Sequence, residues 1–170
     1  MTLFRRILVP HDFSDHATKA LAFAADLVAP GGRLLVLHVV VPFTPVTGIP
    51  ATAEAVTYFS PPELIRGAKR QLDRVVSKVF PAGARDHVDA KVVLGDPYRC
   101  ILDATRGMDA IVMSTAGRTG LSHLLIGSVA EKVARHSAIP VVTLRAGSRT
   151  ASKRRRSRTS SPVAATAAVR

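Results

Sequence analysis

Short, unbroken apolar runs alternating with stretches of helical periodicity constrain this chain more than any other feature. Arg6 to Pro10, Leu34 to Val41, His87 to Leu94, Asp109 to Met113 and Pro140 to Leu144 are strand-sized, and most are apolar at successive rather than alternate positions. A strand with no polar face must be covered on both sides, as parallel strands of α/β proteins are. Between these runs, Ala17, Ala20, Leu21, Ala24, Ala25 and Val28 fall at three- and four-residue steps, and so do Leu64, Ala68, Leu72, Val75, Val76 and Val79 within Glu63 to Val79. That spacing puts one apolar stripe on each of two helices. A third helix carries Ile101, Leu102 and Ala104, and a fourth runs from Gly127 to His136. Five strands alternating with four helices predict an α/β domain: an open, doubly wound, parallel five-stranded sheet with helices on both faces and right-handed crossovers.

Local punctuation agrees with that order. Ser14 stands where the first helix needs an N-cap, and Pro30-Gly31-Gly32 is expected to end that helix. Gly95-Asp96-Pro97 turns into the third helix with proline at its first position, where a missing N–H costs nothing. Pro42 to Pro62 carries five prolines and little periodicity, which predicts a long exposed connection.

At 170 residues and 47% hydrophobic, the chain suffices for one core and hardly for two. No apolar run is long enough for a membrane span, and Met1 to Arg6 leads into a strand without a signal-peptide core, so the expectation is a cytoplasmic protein. Cys100, the single cysteine, excludes an internal disulfide and is expected to be buried on its helix. The formal charge of +12 suggests nucleic acid until it is located: eight Lys/Arg and no acid lie from Arg145 onward, which leaves +4 on the first 144 residues. The expected organisation is a globular domain over residues 1–145 and a disordered basic tail over 146–170. Lys153-Arg-Arg-Arg-Ser-Arg158 reads either as a solvated tail or as a flexible anchor for nucleic acid or an anionic surface.

Ligands of open parallel sheets bind at the carboxyl ends of strands, where strand order reverses. Pro10 to Ser14, His38 to Val41 and Ser114 to Ser128 all qualify. The third leaves a strand and enters a helix, and its residues suit an anion. Gly117 and Gly120 allow backbone N–H groups to converge on phosphate oxygens. Gly127-Ser128 opens a helix whose free N–H groups favour negative charge. Ser114, Thr119 and Ser128 add hydroxyls, and Arg118 adds a positive charge. The alternative is loop punctuation with Ser128 as an ordinary cap.

Other chemistries find little support. No His-Glu-x-x-His spacing and no Gly-Lys-Ser/Thr occurs, and Gly120-Leu-Ser122-His-Leu124 lacks the second glycine of a nucleophile elbow. Gly117-Arg-Thr-Gly120 has the form of an RNA-binding GxxG loop but leaves a strand rather than joining helices. His38 reads as a satisfied core histidine, and His11, His16 and His123 as solvated.

The ordered motifs carry a resemblance. Ile7-Leu-Val-Pro10-His-Asp12-Phe-Ser14, His38-Val39, Gly95-Asp-Pro97, and Ser114-Thr-Ala-Gly117 followed after nine residues by Gly127-Ser128 together resemble the universal stress protein family over nearly all of Phe4 to Leu144. The resemblance implies a Rossmann-like, adenine nucleotide alpha hydrolase-like fold and a regulatory stress-response module that binds ATP, with Mg, without strong catalysis. It implies that Pro10, Asp12 and Val39 surround adenine and ribose, that Met113, Ser114, Gly117, Arg118, Thr119 and Gly120 wrap ribose and phosphates, and that Gly127, Ser128 and Val129 hold the triphosphate. Asp12 is the side chain implied to touch the nucleoside or help seat the metal. One position departs from the family's Gly-x2-Gly-x9-Gly-Ser/Thr pattern: its first glycine is Ser114, which costs about 1 kcal/mol or more if positive φ is required and nothing if only a small side chain is. The rival readings are a family member with no nucleotide that acts as a dimeric interaction module, and a slow ATP-hydrolysing or adenylyl-transferring enzyme. The last strand is the expected sheet edge and the expected homodimer contact.

The tail readings separate in one experiment. If the tail is an anchor, a chain ending at Arg145 loses nucleic-acid binding together with its salt dependence in a filter-binding titration; unchanged binding removes the anchor reading.

Overall fold

The computed structural model describes residues 4–41, 61–115 and 127–145. In chain order they form β1 (Phe4–Pro10), α1 (Asp15–Leu27), β2 (Val28–Val40), α2 (Pro61–Val79), a 3-10 turn (Ala82–His87), β3 (Val88–Leu94), α3 (Pro97–Asp103), β4 (Ala110–Ser114), α4 (Ser128–His136) and β5 (Val141–Leu144). All pairings are parallel, in the order β3-β2-β1-β4-β5. The order reverses between β1 and β4, so the crossovers leave β1 in opposite directions and a crevice opens between them.

The apolar runs are continuous because each strand faces two cores. Ile7 and Val9 of β1, Leu34 and Val36 of β2 and Val112 of β4 pack with Ala20, Leu21 and Ala24 of α1 and Leu72 and Val76 of α2. The intervening residues Leu8, Leu37, Ile111 and Met113 pack on the other face with Ile101 of α3 and Ala130 and Val133 of α4. Helices therefore cover both faces, as the sequence pattern implies. Ile7, Leu8 and Val9 are fully buried.

Capping agrees closely with the sequence. The Ser14 hydroxyl accepts the Ala17 N–H at 3.1 Å, and the Asp96 carboxylate accepts the Arg99 N–H at 2.9 Å with Pro97 in the first turn of α3. β5 is an edge strand, as expected, and β3 forms the other edge.

Three features differ from expectation. α1 ends at Leu27 rather than at Pro30, and Val28 to Gly32 already belong to β2. Pro30 acts earlier than its position suggests, because the residue before a proline is pushed out of the helical region and the ring excludes the carbonyl four residues back. The β1–β2 register slips there, from Phe4 opposite Val28 to Arg6 opposite Arg33. Gly31, at φ 73°, and Gly32 carry this irregularity; a Cβ on Gly32 would lie 2.6 Å from the Arg5 carbonyl oxygen. Second, the 3-10 turn has no periodic signature in the sequence. Its Arg85 donates to the Phe80 and Ser77 carbonyls at 3.1 and 3.3 Å and so satisfies the C-terminal end of α2. Third, Cys100 is only half-buried. Most of the expected Pro42–Pro62 connection, and the expected 146–170 tail, lie outside the described residues. Among the described residues no helix is long and apolar enough to cross a membrane.

Two glycines should respond in opposite directions. Gly32→Ala must move backbone and is expected to destabilise by about 1–3 kcal/mol. Gly67→Ala, in α2 with nothing within 4 Å of the added carbon, is expected to stabilise by about 0.5–1 kcal/mol. Chemical denaturation of both variants checks the pair.

Candidate ligand cleft

The crevice predicted by the strand reversal is a cleft of about 580 Å³ at the carboxyl ends of β1, β2 and β4. Its floor is apolar: Leu37 and Val39 from β2, Met113 from β4, Ile101 from α3 and Ala130 from α4. Its polar groups come from the turn after β1, from Ser114 and Thr115 at the end of β4, and from the start of α4.

The turn after β1 is closed by side chains. The His11 N–H donates to the Leu37 carbonyl at 2.8 Å, so the β1–β2 ladder extends past the strand. The His11 ring is buried, its Nδ1 accepting the Phe13 N–H at 3.0 Å. That bond assigns the ring proton to Nε2, which faces the Thr18 hydroxyl at 3.3 Å. The His11 carbonyl accepts from Nδ1 of His38, also buried, at 2.7 Å. Asp12 Oδ1 accepts from the Ser14 N–H at 3.0 Å and from the Ser14 hydroxyl at 2.6 Å. Between them Phe13 adopts φ 68°, the only positive φ of a non-glycine among the described residues. Its ring lies against that of His38, with centroids 4.0 Å apart.

Burial pushes the His11 imidazole down from the usual 6.5 to about 4, the Asp12 carboxylate partly opposing the shift and His38 adding to it. The ring is therefore neutral at neutral pH.

The opposite wall is fastened at its base. Thr115 leaves β4 with its N–H on the Leu144 carbonyl at 2.9 Å, and its own carbonyl accepts the Gly127 N–H at 2.7 Å. The chain on either side of residues 116–126 is thus held together. Gly127 is the N-cap of α4, and a Cβ there would lie 3.1 Å from the Thr115 oxygen. The first intrahelical bond is Glu131 N–H to Gly127 C=O at 2.9 Å, so the N–H groups of Ser128, Val129 and Ala130 precede it at the positive end of the helix.

Of the residues singled out in the sequence, Pro10, Asp12, Val39, Met113, Ser114, Gly127, Ser128 and Val129 all line this one cleft. Gly117, Arg118, Thr119 and Gly120 lie outside the described residues, as do Ser122 and His123. Ser114 closes β4 as a strand residue and does not have positive φ, so serine carries no backbone penalty there. His38 is the satisfied core histidine expected, and it also borders the cleft. His11, expected in solvent, is instead buried. Its ring accepts a backbone N–H from two residues on, and no periodicity signals such a bond. Thr115, Ile101 and Ala130 also line the cleft without a sequence signal for it; Ile101 and Ala130 look like ordinary helix-core positions in sequence. Among the described residues no group of three or more His, Cys, Asp or Glu is placed to hold a metal ion.

Comparison with known proteins agrees with this geometry. The sequence profile of the Universal stress protein family matches residues 3–145. The "Universal stress protein in QAH/OAS sulfhydrylase 3'region" of Thermus aquaticus is 36% identical over 149 residues, covering 84% of this chain and 100% of that protein. The solved structure of the hypothetical protein MJ0577, from Methanocaldococcus jannaschii, superposes with a TM-score of 0.68 at 25% identity, covering 87% of this chain and 100% of that one. A universal stress protein from Archaeoglobus fulgidus, solved in complex with dAMP, has the same fold at 24% identity and a TM-score of 0.53, covering 84% of this chain and 98% of that one.

The buried imidazole sets a pH dependence. Between about pH 6.5 and 4 the unfolded chain binds a proton at His11 that the folded chain refuses, so stability is complete above about 6.5 and falls as the pH drops through the folded value. The expected loss from this residue is about 3 kcal/mol, checked by urea midpoints at both ends of the window in the native protein and in His11→Asn.

Proposed function

Because the chain belongs to the universal stress protein family, we propose that the cleft between β1 and β4 binds an adenine nucleotide, ATP in the fullest reading, and that the protein acts as a regulatory module rather than as an enzyme. The observation that carries this is the pairing of an apolar floor with the free end of α4 in one cleft. Leu37, Val39, Met113 and Ile101 offer an apolar seat for a base, which gains by leaving water. The N–H groups of Ser128, Val129 and Ala130, with the Ser128 hydroxyl, offer donors and positive potential to phosphate oxygens. The volume, about 580 Å³, falls within the range usual for small-molecule sites. That the same fold is found holding dAMP in a relative supports the choice of ligand class.

The reading assigns no catalytic residue. His11 points its two ring nitrogens at Phe13 and Thr18, and Asp12 Oδ1 is engaged by Ser14. Neither arrangement presents a poised general base, and a bound nucleotide would act by favouring one arrangement of the cleft walls over another. Asp12 is the carboxylate that would help seat Mg carried in by the phosphates. Gly117, Arg118, Thr119 and Gly120 belong to the same proposal as phosphate contacts. So does a homodimer paired across the β5 edge, whose Val141 and Val142 are only half-buried in the single chain.

Native mass spectrometry of the purified protein is expected to show co-purified adenine nucleotide, and calorimetric titration to rank ATP, ADP and AMP. Ser128→Glu puts an acid in the first turn of α4, where it favours the helix but repels phosphate, and should weaken ATP roughly tenfold while leaving the melting temperature unchanged or raised. No binding of any adenine nucleotide by the native protein would leave a family member that works through protein contacts alone. Release of AMP and pyrophosphate would instead reveal an enzyme.

A further inference from the structure

The Pro10–Ser14 turn makes two successive side-chain closures of the same form. His11 Nδ1 takes the N–H of residue 13, and Asp12 Oδ1 takes the N–H of residue 14. The second is an ordinary Asx turn; the first uses an imidazole where Asn or Asp would be usual. The conformation they enclose, positive φ on a phenylalanine, is strained for an aromatic residue and persists only where its surroundings over-determine it.

His11 supplies most of that determination. Its N–H and carbonyl tie it to Leu37 and to His38 of β2, its Nδ1 to Phe13, and its Nε2 to Thr18 of α1, whose hydroxyl donates in turn to the Ser14 carbonyl at 3.0 Å. The Phe13 ring completes the circuit by packing on His38. A leucine would fill the same space but leave the Phe13 N–H without its acceptor, and burying an imidazole is a poor way merely to fill a core.

We propose that His11 is a positioning residue of the cleft: its imidazole, in the Nε2–H form, locks the Pro10–Ser14 turn in the one conformation that sets Asp12 and the adjoining backbone on the cleft wall, so that nucleotide affinity depends on a ring that acts through the turn. This rests on the nucleotide reading above. The lock lowers the ordering that binding requires, since the wall is already in place before a ligand arrives.

The test uses the full chain. In the native protein the ring ¹⁵N shifts should show a bare Nδ1 and a protonated Nε2, unchanged from about pH 8 to about pH 5.5. His11→Asn keeps an acceptor for the Phe13 N–H and should hold ATP affinity within about threefold, whereas His11→Leu keeps volume alone and should lose about tenfold. In the ligand-free proteins the Phe13 and Ser14 amide resonances should stay in place in His11→Asn and move in His11→Leu. Equal affinities in the two folded variants, or unmoved amides in His11→Leu, overturn the lock. If the native protein binds no adenine nucleotide, the functional reading fails while the ring and amide signals still decide whether the lock exists. Should His11→Leu not fold, the smaller His11→Val removes the same acceptor: moved Phe13 and Ser14 amides with an affinity loss of about tenfold support the lock, and unmoved amides with unchanged affinity overturn it.

Discussion

The structure depends on one constraint: β1 is hydrogen-bonded along both edges and covered on both faces. Its partners β2 and β4 lead the chain away in opposite directions, which is why Ile7, Leu8 and Val9 have no exposure at all. The middle of a strand in that position admits no polar residue at either parity: Ile7, Leu8 and Val9 obey, and Arg5 and Arg6 stand at the exposed end of the strand. The same reversal leaves the carboxyl end of β1 without a crossover above it. The demand that buries the middle of β1 therefore also leaves a cleft at its carboxyl end.

The turn leaving β1 is accordingly unlike the rest of the chain. Elsewhere the loops take standard chemistry: an aspartate cap with proline behind it, glycines at positive φ. In residues 11 to 13 two buried or half-buried polar side chains and a strained phenylalanine crowd together, each satisfied by another. Local rules are broken where a cleft must be shaped, and the hydrogen-bond network around His11 offsets the cost.

Much of this was legible in the sequence, for identifiable reasons. Period and run length locate all five strands and four helices, most directly where two-faced burial is written as consecutive apolar residues, as in β1 and β4. The cleft positions from Pro10 to Val129 come from a topological rule applied to strand ends, and the family resemblance selects among them. The unsignalled 3-10 turn and the half-buried Cys100 aside, three things escaped for definite physical reasons. The early end of α1 depends on a steric effect exerted by Pro30 on the residues before it. The burial of His11 comes with a ring bond to the backbone N–H two residues away, which no periodicity signals. The innocence of Ser114 depends on a φ value, and a glycine motif gives no sign of which of its members need positive φ.

The hydrogen bond from the Gly127 N–H to the Thr115 carbonyl has a consequence for how such a protein can diversify. With the stem fastened by the backbone itself, the stretch between is a cassette. Its length and composition can change without re-registering β4 or turning α4, because lengthening an already closed loop costs little, about 0.6 kcal/mol for each doubling. Sheet, helix and stem then form one frame whose register does not depend on how many residues separate Thr115 from Gly127.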